Sequence, residues 1–173
     1  MTTGAPTSRA WRALRHHVNE CAKERKQERA IKCAIEKRIN TMPADVQIFF
    51  DTYRDAFNRL DGRAVSAHYD LPAMIVDNGG NGVFTDDAAL DANNIALCAH
   101  YAQDGFVRAD FAERAFLPQG ENFCVVDLAW TIERRDKGPQ TFNTSYALAR
   151  RADRWKVAMV TAYEERRPGG GHD

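Results

Sequence analysis

Between Phe106 and Glu164 four strand-like runs follow one another: Phe106 to Leu117, Glu121 to Arg135, Gln140 to Arg151 and Arg154 to Glu164. They are separated only by Pro118-Gln119-Gly120, Asp136-Lys137-Gly138-Pro139 and Ala152-Asp153, each a turn sequence. A parallel crossover needs a dozen residues or more, so each strand must run antiparallel to the one before it. In the second run Cys124, Val126, Leu128, Trp130 and Ile132 alternate with more polar neighbours, which places five apolar side chains on one face. The second half of the chain is therefore an antiparallel meander with a face that needs cover.

The cover is encoded upstream. Val46, Phe49, Phe50, Tyr53, Phe57 and Leu60 recur at helical spacing and paint one apolar stripe. Pro43 suits the first helical position and Asp45 the positive end of the macrodipole. Asp61-Gly62 is expected to end this helix, with Gly62 in the left-handed cap. A short helix from Arg63 to Tyr69 is expected next, stopped by Pro72, which pushes Leu71 towards an extended conformation. Ala73 to Asp77 reads as a short strand, Asn78-Gly79-Gly80-Asn81-Gly82 as a turn and Val83-Phe84 as a brief return strand. Thr85 is the expected N-cap of a helix reaching about Gln103, with Asp86 and Asp87 at its positive end. Its inner stripe is Leu90, Leu97, Cys98 and Tyr101, and Gly105 closes it.

The first 41 residues differ in kind. Residues 1–40 hold ten Lys/Arg against four Glu, whereas the chain as a whole is neutral. The stripe Trp11, Leu14, Val18, Cys21 fails where Arg25, Glu28 and Lys32 take its place, so no sustained coiled coil is expected. Residues 1–41 read as a basic extension, helical or disordered, 42–165 as the folded domain and 166–173, with Pro168-Gly169-Gly170-Gly171, as a flexible tail. Met42-Pro43-Ala44 also resembles a natural start, which raises the hypothesis that the extension comes from a misassigned initiation site. Peptides from Thr2 to Arg38 in the endogenous protein would reject that idea.

Overall neutrality argues against a general polyanion binder, and beyond Trp11 no aromatic interleaves with the basic residues of the extension, so no nucleic-acid partner is expected. No apolar run approaches a membrane span, and no secretory h-region opens the chain, so no membrane partner and a cytoplasmic location are expected. Cys21, Cys33, Cys98 and Cys124 lack metal-ligand spacing and read as reduced thiols, with Cys98 and Cys124 as small core residues. No phosphate loop, nucleophile elbow or metal motif is present, and no cofactor is expected.

The order helix, short helix, short strand pair, helix and four long antiparallel strands resembles the nuclear transport factor 2-like superfamily, which includes steroid delta-isomerases and SnoaL-like polyketide cyclases. The closing Asp153-Arg154-Trp155-Lys156-Val157 strand entry is similar to one frequent in that superfamily. The resemblance implies an α+β fold, a cone-shaped, curved antiparallel sheet wrapped around three helices with a pocket between them, and a homodimer through the outer face of the sheet. Tyr53-Arg54-Asp55-Ala56-Phe57-Asn58-Arg59-Leu60-Asp61 looks like the first-helix pattern of the isomerases, Tyr-x-x-Ala-Leu-Asn-x-x-Asp. Carried over without a gap, it places the isomerase general base on Asp77 and its enolate-stabilising phenol on Tyr53. The chain departs from the pattern after Asp77, where Asn78-Gly79-Gly80 stands in place of a Pro and a Gly. It departs again at 143–146, where the isomerases' second, acidic donor has no counterpart and Asn143 or Ser145 is a substitute at most.

Each candidate also has a structural reading. Tyr53 lies on the apolar helix face and suits a core tyrosine; Asp77 suits the start of an Asp-Asn-Gly turn. His68, Trp130, Asn143 and Tyr146 are the expected pocket-lining groups, although a lone histidine is often structural. Asp127 faces away from Trp130 and is expected in solvent or in a dimer contact. Two functions remain open. One is a cofactor-free isomerase, cyclase or lyase acting on a small apolar carbonyl compound, with Asp77 as base and Tyr53 as enolate stabiliser. The other is a non-catalytic module that binds a small apolar ligand or a partner, its cavity filled by Phe49, Phe50, Phe57, Phe106, Phe111, Phe116 and Trp130.

Overall fold

The structure, a computed structural model, describes residues 20, 23, 25–29 and 41–166. The chain divides into two units at Asn40/Thr41. In the first unit the described residues are helical and exposed. The helical or disordered character expected for the rest of the basic extension, and the flexible tail expected after 166, lie outside the described residues.

In the second unit the order is α1 (Ala44–Asn58), α2 (Gly62–Ser66), β1 (Tyr69–Asp77), β2 (Gly80–Phe84), α3 (Asp87–Gln103), β3 (Phe106–Pro118), β4 (Phe123–Arg134), β5 (Gln140–Arg151) and β6 (Arg154–Arg166). The strands make one curved, unclosed sheet ordered β2-β1-β6-β5-β4-β3. The meander β3 to β6 is antiparallel throughout, as its short turns require. The pair β1·β6 is parallel, the long excursion through α3 and the meander supplying the crossover.

The α1 stripe is buried as its spacing demands, with Val46, Phe49, Phe50, Tyr53 and Ala56 against the sheet. Opposite it stand Cys124, Val126, Leu128, Trp130 and Ile132 of β4, all buried. Removing a large apolar side chain from water contributes about 1.5–3 kcal/mol, so this helix–sheet contact stabilises the fold substantially. Cys98 and Cys124 are free thiols in the core. Asn58 acts as an extra rung of the sheet. Its amide donates to the Ala109 carbonyl at 3.2 Å and accepts from the Ala109 N–H at 2.7 Å, which fixes the end of α1 to β3.

Three local expectations are corrected. The left-handed residue after α1 is Leu60 (φ 52°), not Gly62. Asp61 N–H bonds the Ala56 carbonyl and Leu60 N–H that of Phe57, a Schellman closure. Gly62 instead opens α2 at a close approach: a Cβ there would lie 2.5 Å from Ile95 N. The N-cap of α3 is Asp86 rather than Thr85, its carboxylate accepting from Ala89 N–H at 2.9 Å. Strand β1 starts at Tyr69 and runs through Pro72, because the pairing with β6 shifts register between Tyr69 and Met74. A residue without an N–H is tolerated at such an irregularity.

Candidate functional site

The inward side chains of the sheet alternate with period two, and α1 and α3 do not fill the concavity they cover. A cavity of about 420 Å³ remains. Its floor is Tyr53 and Phe57 of α1, Tyr69 of β1, Trp130 of β4 and Tyr146 of β5. Its rim carries Asp77, Asn78 and Gly79 of the β1–β2 turn and Asn93, Leu97 and His100 of α3. The volume lies within the range of small-molecule sites, and the lining has the usual mixture of aromatic walls with a few polar groups. The expectation of a cavity filled by phenylalanines is not met: Phe57 and Phe106 line the hollow, while Phe50 is wholly buried in the core.

Tyr53 and Asp77 line this one cavity. Tyr53 is 3% exposed, and its hydroxyl hydrogen-bonds that of Tyr69 at 3.0 Å. Each phenol keeps its own proton and only one of the two lies between the oxygens, so when Tyr69 donates, the Tyr53 O–H is free for a ligand. Burial, reinforced by Tyr69 and Tyr146, holds the Tyr53 phenol well above its ordinary value of 10. Burial likewise pushes Tyr69 up to about 12. Burial raises Tyr146 too, and its hydroxyl accepts from Trp130 Nε1–H at 3.1 Å. The floor is therefore a cluster of protonated phenols, which are donors at neutral pH.

Asp77 is different. Its side chain is exposed at the mouth, and Oδ1 accepts from Gly79 N–H at 2.7 Å, as in an Asx turn. Its second carboxylate oxygen is left for other partners.

Trp130 and Tyr146 line the cavity as expected; His68 and Asn143 do not. His68 packs its ring on Phe49 and Tyr53, its Nδ1 lies 2.8 Å from the Ala64 carbonyl and its Nε2 3.1 Å from Thr52 Oγ1. Asn143 faces the outer side of the sheet, where it accepts from Arg114 at 3.2 Å and donates to Glu164 at 2.7 Å. Asp127 joins the same network, accepting from Tyr163 and Arg114. Asn143 and Tyr146 are three residues apart on one strand, so they had to face opposite sides. Among the lining groups that escaped sequence reasoning are Tyr69, Asn93, Asn94, His100, Gln140 and Thr144. For Gln140 and Thr144 the signal was present, since they share the parity of Tyr146.

A layered α+β unit whose curved sheet holds a cavity under its helices defines the nuclear transport factor 2-like class. The profile of the family described as NTF2-like protein (DUF6841) matches residues 44–165, and the chain belongs to that family. Among solved structures it is similar to an NTF2-like protein of unknown function from Shewanella oneidensis, at 18% identity and a TM-score of 0.58, over 68% of this chain and 95% of that one. It is also similar to a ketosteroid isomerase-like protein from Erwinia carotovora atroseptica, at 17% identity and 0.55, over 69% and 92%. A third likeness is a putative calcium/calmodulin-dependent protein kinase type II association domain from Thiobacillus denitrificans, at 15% identity and 0.57, over 67% and 91%. At these identities the likeness concerns the fold. No curated protein sequence matches the chain. Among the described residues no helix is long and apolar enough to cross a membrane, and no cluster of His, Cys, Asp and Glu is placed to hold a metal ion.

Proposed function

We propose that the cavity binds a small, largely apolar carbonyl compound and moves a proton beside its carbonyl group. The observation that supports this is that Tyr53 and Asp77 line one open hollow. Asp77 takes a proton from the carbon next to the carbonyl, the C–H electron pair moves on to the carbonyl oxygen, and Tyr53 donates a hydrogen bond to the resulting enolate. Where the compound carries a β,γ C=C bond the enolate is a dienolate, and return of the proton from Asp77 to its γ-carbon, with the C=C moved to the α,β position, completes an isomerisation. A buried, protonated phenol suits this task because its dipole is fixed before charge develops.

A test is hydrogen–deuterium exchange at the α-carbons of 2-tetralone in D₂O, followed by NMR. The protein accelerates exchange; Asp77→Asn lowers the rate by about 10²–10⁴ and Tyr53→Phe by about 10². Exchange at the buffer rate, or exchange indifferent to Asp77→Asn, rejects the reaction.

The Asx turn favours a second reading, because a carboxylate engaged by its own backbone is a turn residue first. In that reading the cavity binds without turnover, and 2-tetralone saturates the protein while its α-protons stay in place.

We also propose a homodimer through the outer face of the sheet. The register sets Met74, Met159, Ala147, Val125 and Leu117 side by side in one apolar row across five strands. Met74, Met159 and Leu117 are exposed. The row lies beside the Arg114–Asp127–Asn143–Glu164 network, which supplies charges of both signs to a self-complementary contact.

A further inference from the structure

The residues around the cavity share one electrostatic property. Nine of its 23 described lining residues are Phe, Tyr or Trp, and none of the 23 is Lys or Arg. Its ionisable lining groups are the Asp77 carboxylate, the His100 imidazole and the phenols, of which burial keeps Tyr53, Tyr69 and Tyr146 protonated. An aromatic ring is negative on its face, so such walls attract a cation. An anion would give up its hydration there without a charged partner in return. The wider field has the same sign, since residues 41–173 hold fourteen Lys/Arg against twenty Asp/Glu.

The sheet register brings the carboxylate and two of the rings to one end of the hollow. Val76 of β1 pairs with Thr161 of β6 in the parallel ladder, so Asp77, one residue on, is level with Ala162. Ala162 pairs with Thr144 of β5, and two residues back along β5 Phe142 pairs with Trp130 of β4. Asp77, Ala162, Phe142 and Trp130 all line the cavity. Two interstrand spacings, about 9.5 Å of backbone, separate β1 from β5. The side chain between them at the level of Asp77 is the methyl group of Ala162, which leaves room for one compact group. Gly79 N–H holds Asp77 Oδ1 at 2.7 Å and leaves the second oxygen for a partner. Phe142 is half-buried, so part of its ring is open to a ligand.

The walls also select the kind of cation. The Tyr53 and Tyr69 hydroxyls bond each other, and that of Tyr146 accepts from Trp130. A primary ammonium brings three N–H donors, which these engaged oxygens serve poorly, and an unmet donor is costly. A fully alkylated ammonium has no donor to satisfy and meets the rings with its methyl groups.

We propose that the mouth of the cavity is a site for a small organic cation, a trialkylammonium group seated between the Asp77 carboxylate and the rings of Phe142 and Trp130. This goes beyond the carbonyl reading and does not rest on it, since in this role Asp77 is a counter-ion and takes no proton.

The test compares phenyltrimethylammonium with tert-butylbenzene, which share a shape and differ in charge, in tryptophan-fluorescence titrations of the full chain. The wild type binds the cation about tenfold more tightly. Asp77→Asn weakens the cation about threefold and leaves tert-butylbenzene unchanged. Phe142→Leu weakens the cation about fivefold, whereas Phe142→Tyr, which keeps the ring, retains its affinity. Equal affinity of the two probes for the wild type, or no binding of the cation, overturns the site. A cation affinity indifferent to Asp77→Asn overturns the counter-ion, and this variant at an exposed position reads the site even where Phe142→Leu fails to fold. Equal losses on Phe142→Leu and Phe142→Tyr overturn the role of the ring. The carbonyl reading is decided separately, by the exchange of 2-tetralone.

Discussion

At the scale of single residues, the stretch from Tyr53 to Asp61 resembles an enzyme motif, yet most of it is architecture. Ala56 is buried, Asn58 docks β3, and Asp61 caps α2 by accepting from Ala64 N–H at 3.0 Å. Of this stretch only Tyr53 and Phe57 reach the cavity. The motif was legible because each of these jobs admits few residue types. The roles of His68 and Asn143 were not, since each depends on partners from other elements. His68 carries a testable consequence. Burial holds it below its ordinary 6.5, offset in part by its bond to the Ala64 carbonyl. The folded state thus prefers the neutral ring. Its contribution to stability is complete above pH 6.5 and is lost as pH falls through the lower folded value. The urea midpoint therefore drops between about pH 7.5 and about pH 5, and His68→Phe removes part of that drop. Parallel losses in wild type and variant would show that His68 does not report on folding. The carboxylate of Asp104, held at about 2 by Lys137 and Arg134, contributes stability above pH 3.8 that is lost only as pH falls towards 2, below the His68 window.

At the scale of elements, periodicity and turn chemistry located nearly every helix and strand, because the meander and the α1 stripe are written in local patterns. Gly62 was misassigned for a physical reason: a glycine beyond a helix reads as a left-handed cap, whereas here its lack of a side chain admits another helix. The contact is backbone to backbone, with the Ile95 Cα 2.6 Å and the Asn94 carbonyl carbon 2.7 Å from an added Cβ. No rotamer change relieves it. Gly62→Ala is expected to cost about 2–4 kcal/mol in chemical denaturation. It should also move α3, which carries Asn93, Asn94 and Leu97 on the cavity rim, so probe binding weakens even where the variant remains folded. A variant of wild-type stability would mean that α2 and α3 are not in the contact described.

At the scale of the whole molecule, the α+β class followed from the order of elements, since few architectures cover a four-strand meander with two preceding helices. The cavity was implied by the family resemblance and not by the residue pattern itself. Apolar residues on the inner face specify cover, but whether the cover fills the concavity depends on how far the sheet curls, which period-two patterning does not record. The apolar row on the outer face was only half visible, because it appears once five strands are set in register. Light scattering at micromolar concentration is expected to give the mass of two chains. Met159→Lys, which puts a charge in the middle of that row, is expected to give the mass of one with the fold retained by circular dichroism. A monomeric wild type would assign the row to another purpose.

The claim on which the functional account stands is that Tyr53 and Asp77 face one ligand. Protein carrying ¹³C at the tyrosine Cζ and aspartate Cγ positions can be titrated with 2-tetralone and followed by NMR. The account predicts that the Tyr53 and Asp77 resonances move together on a single saturation curve. Movement at different ligand concentrations, or an Asp77 signal that stays fixed while Tyr53 saturates, would contradict it.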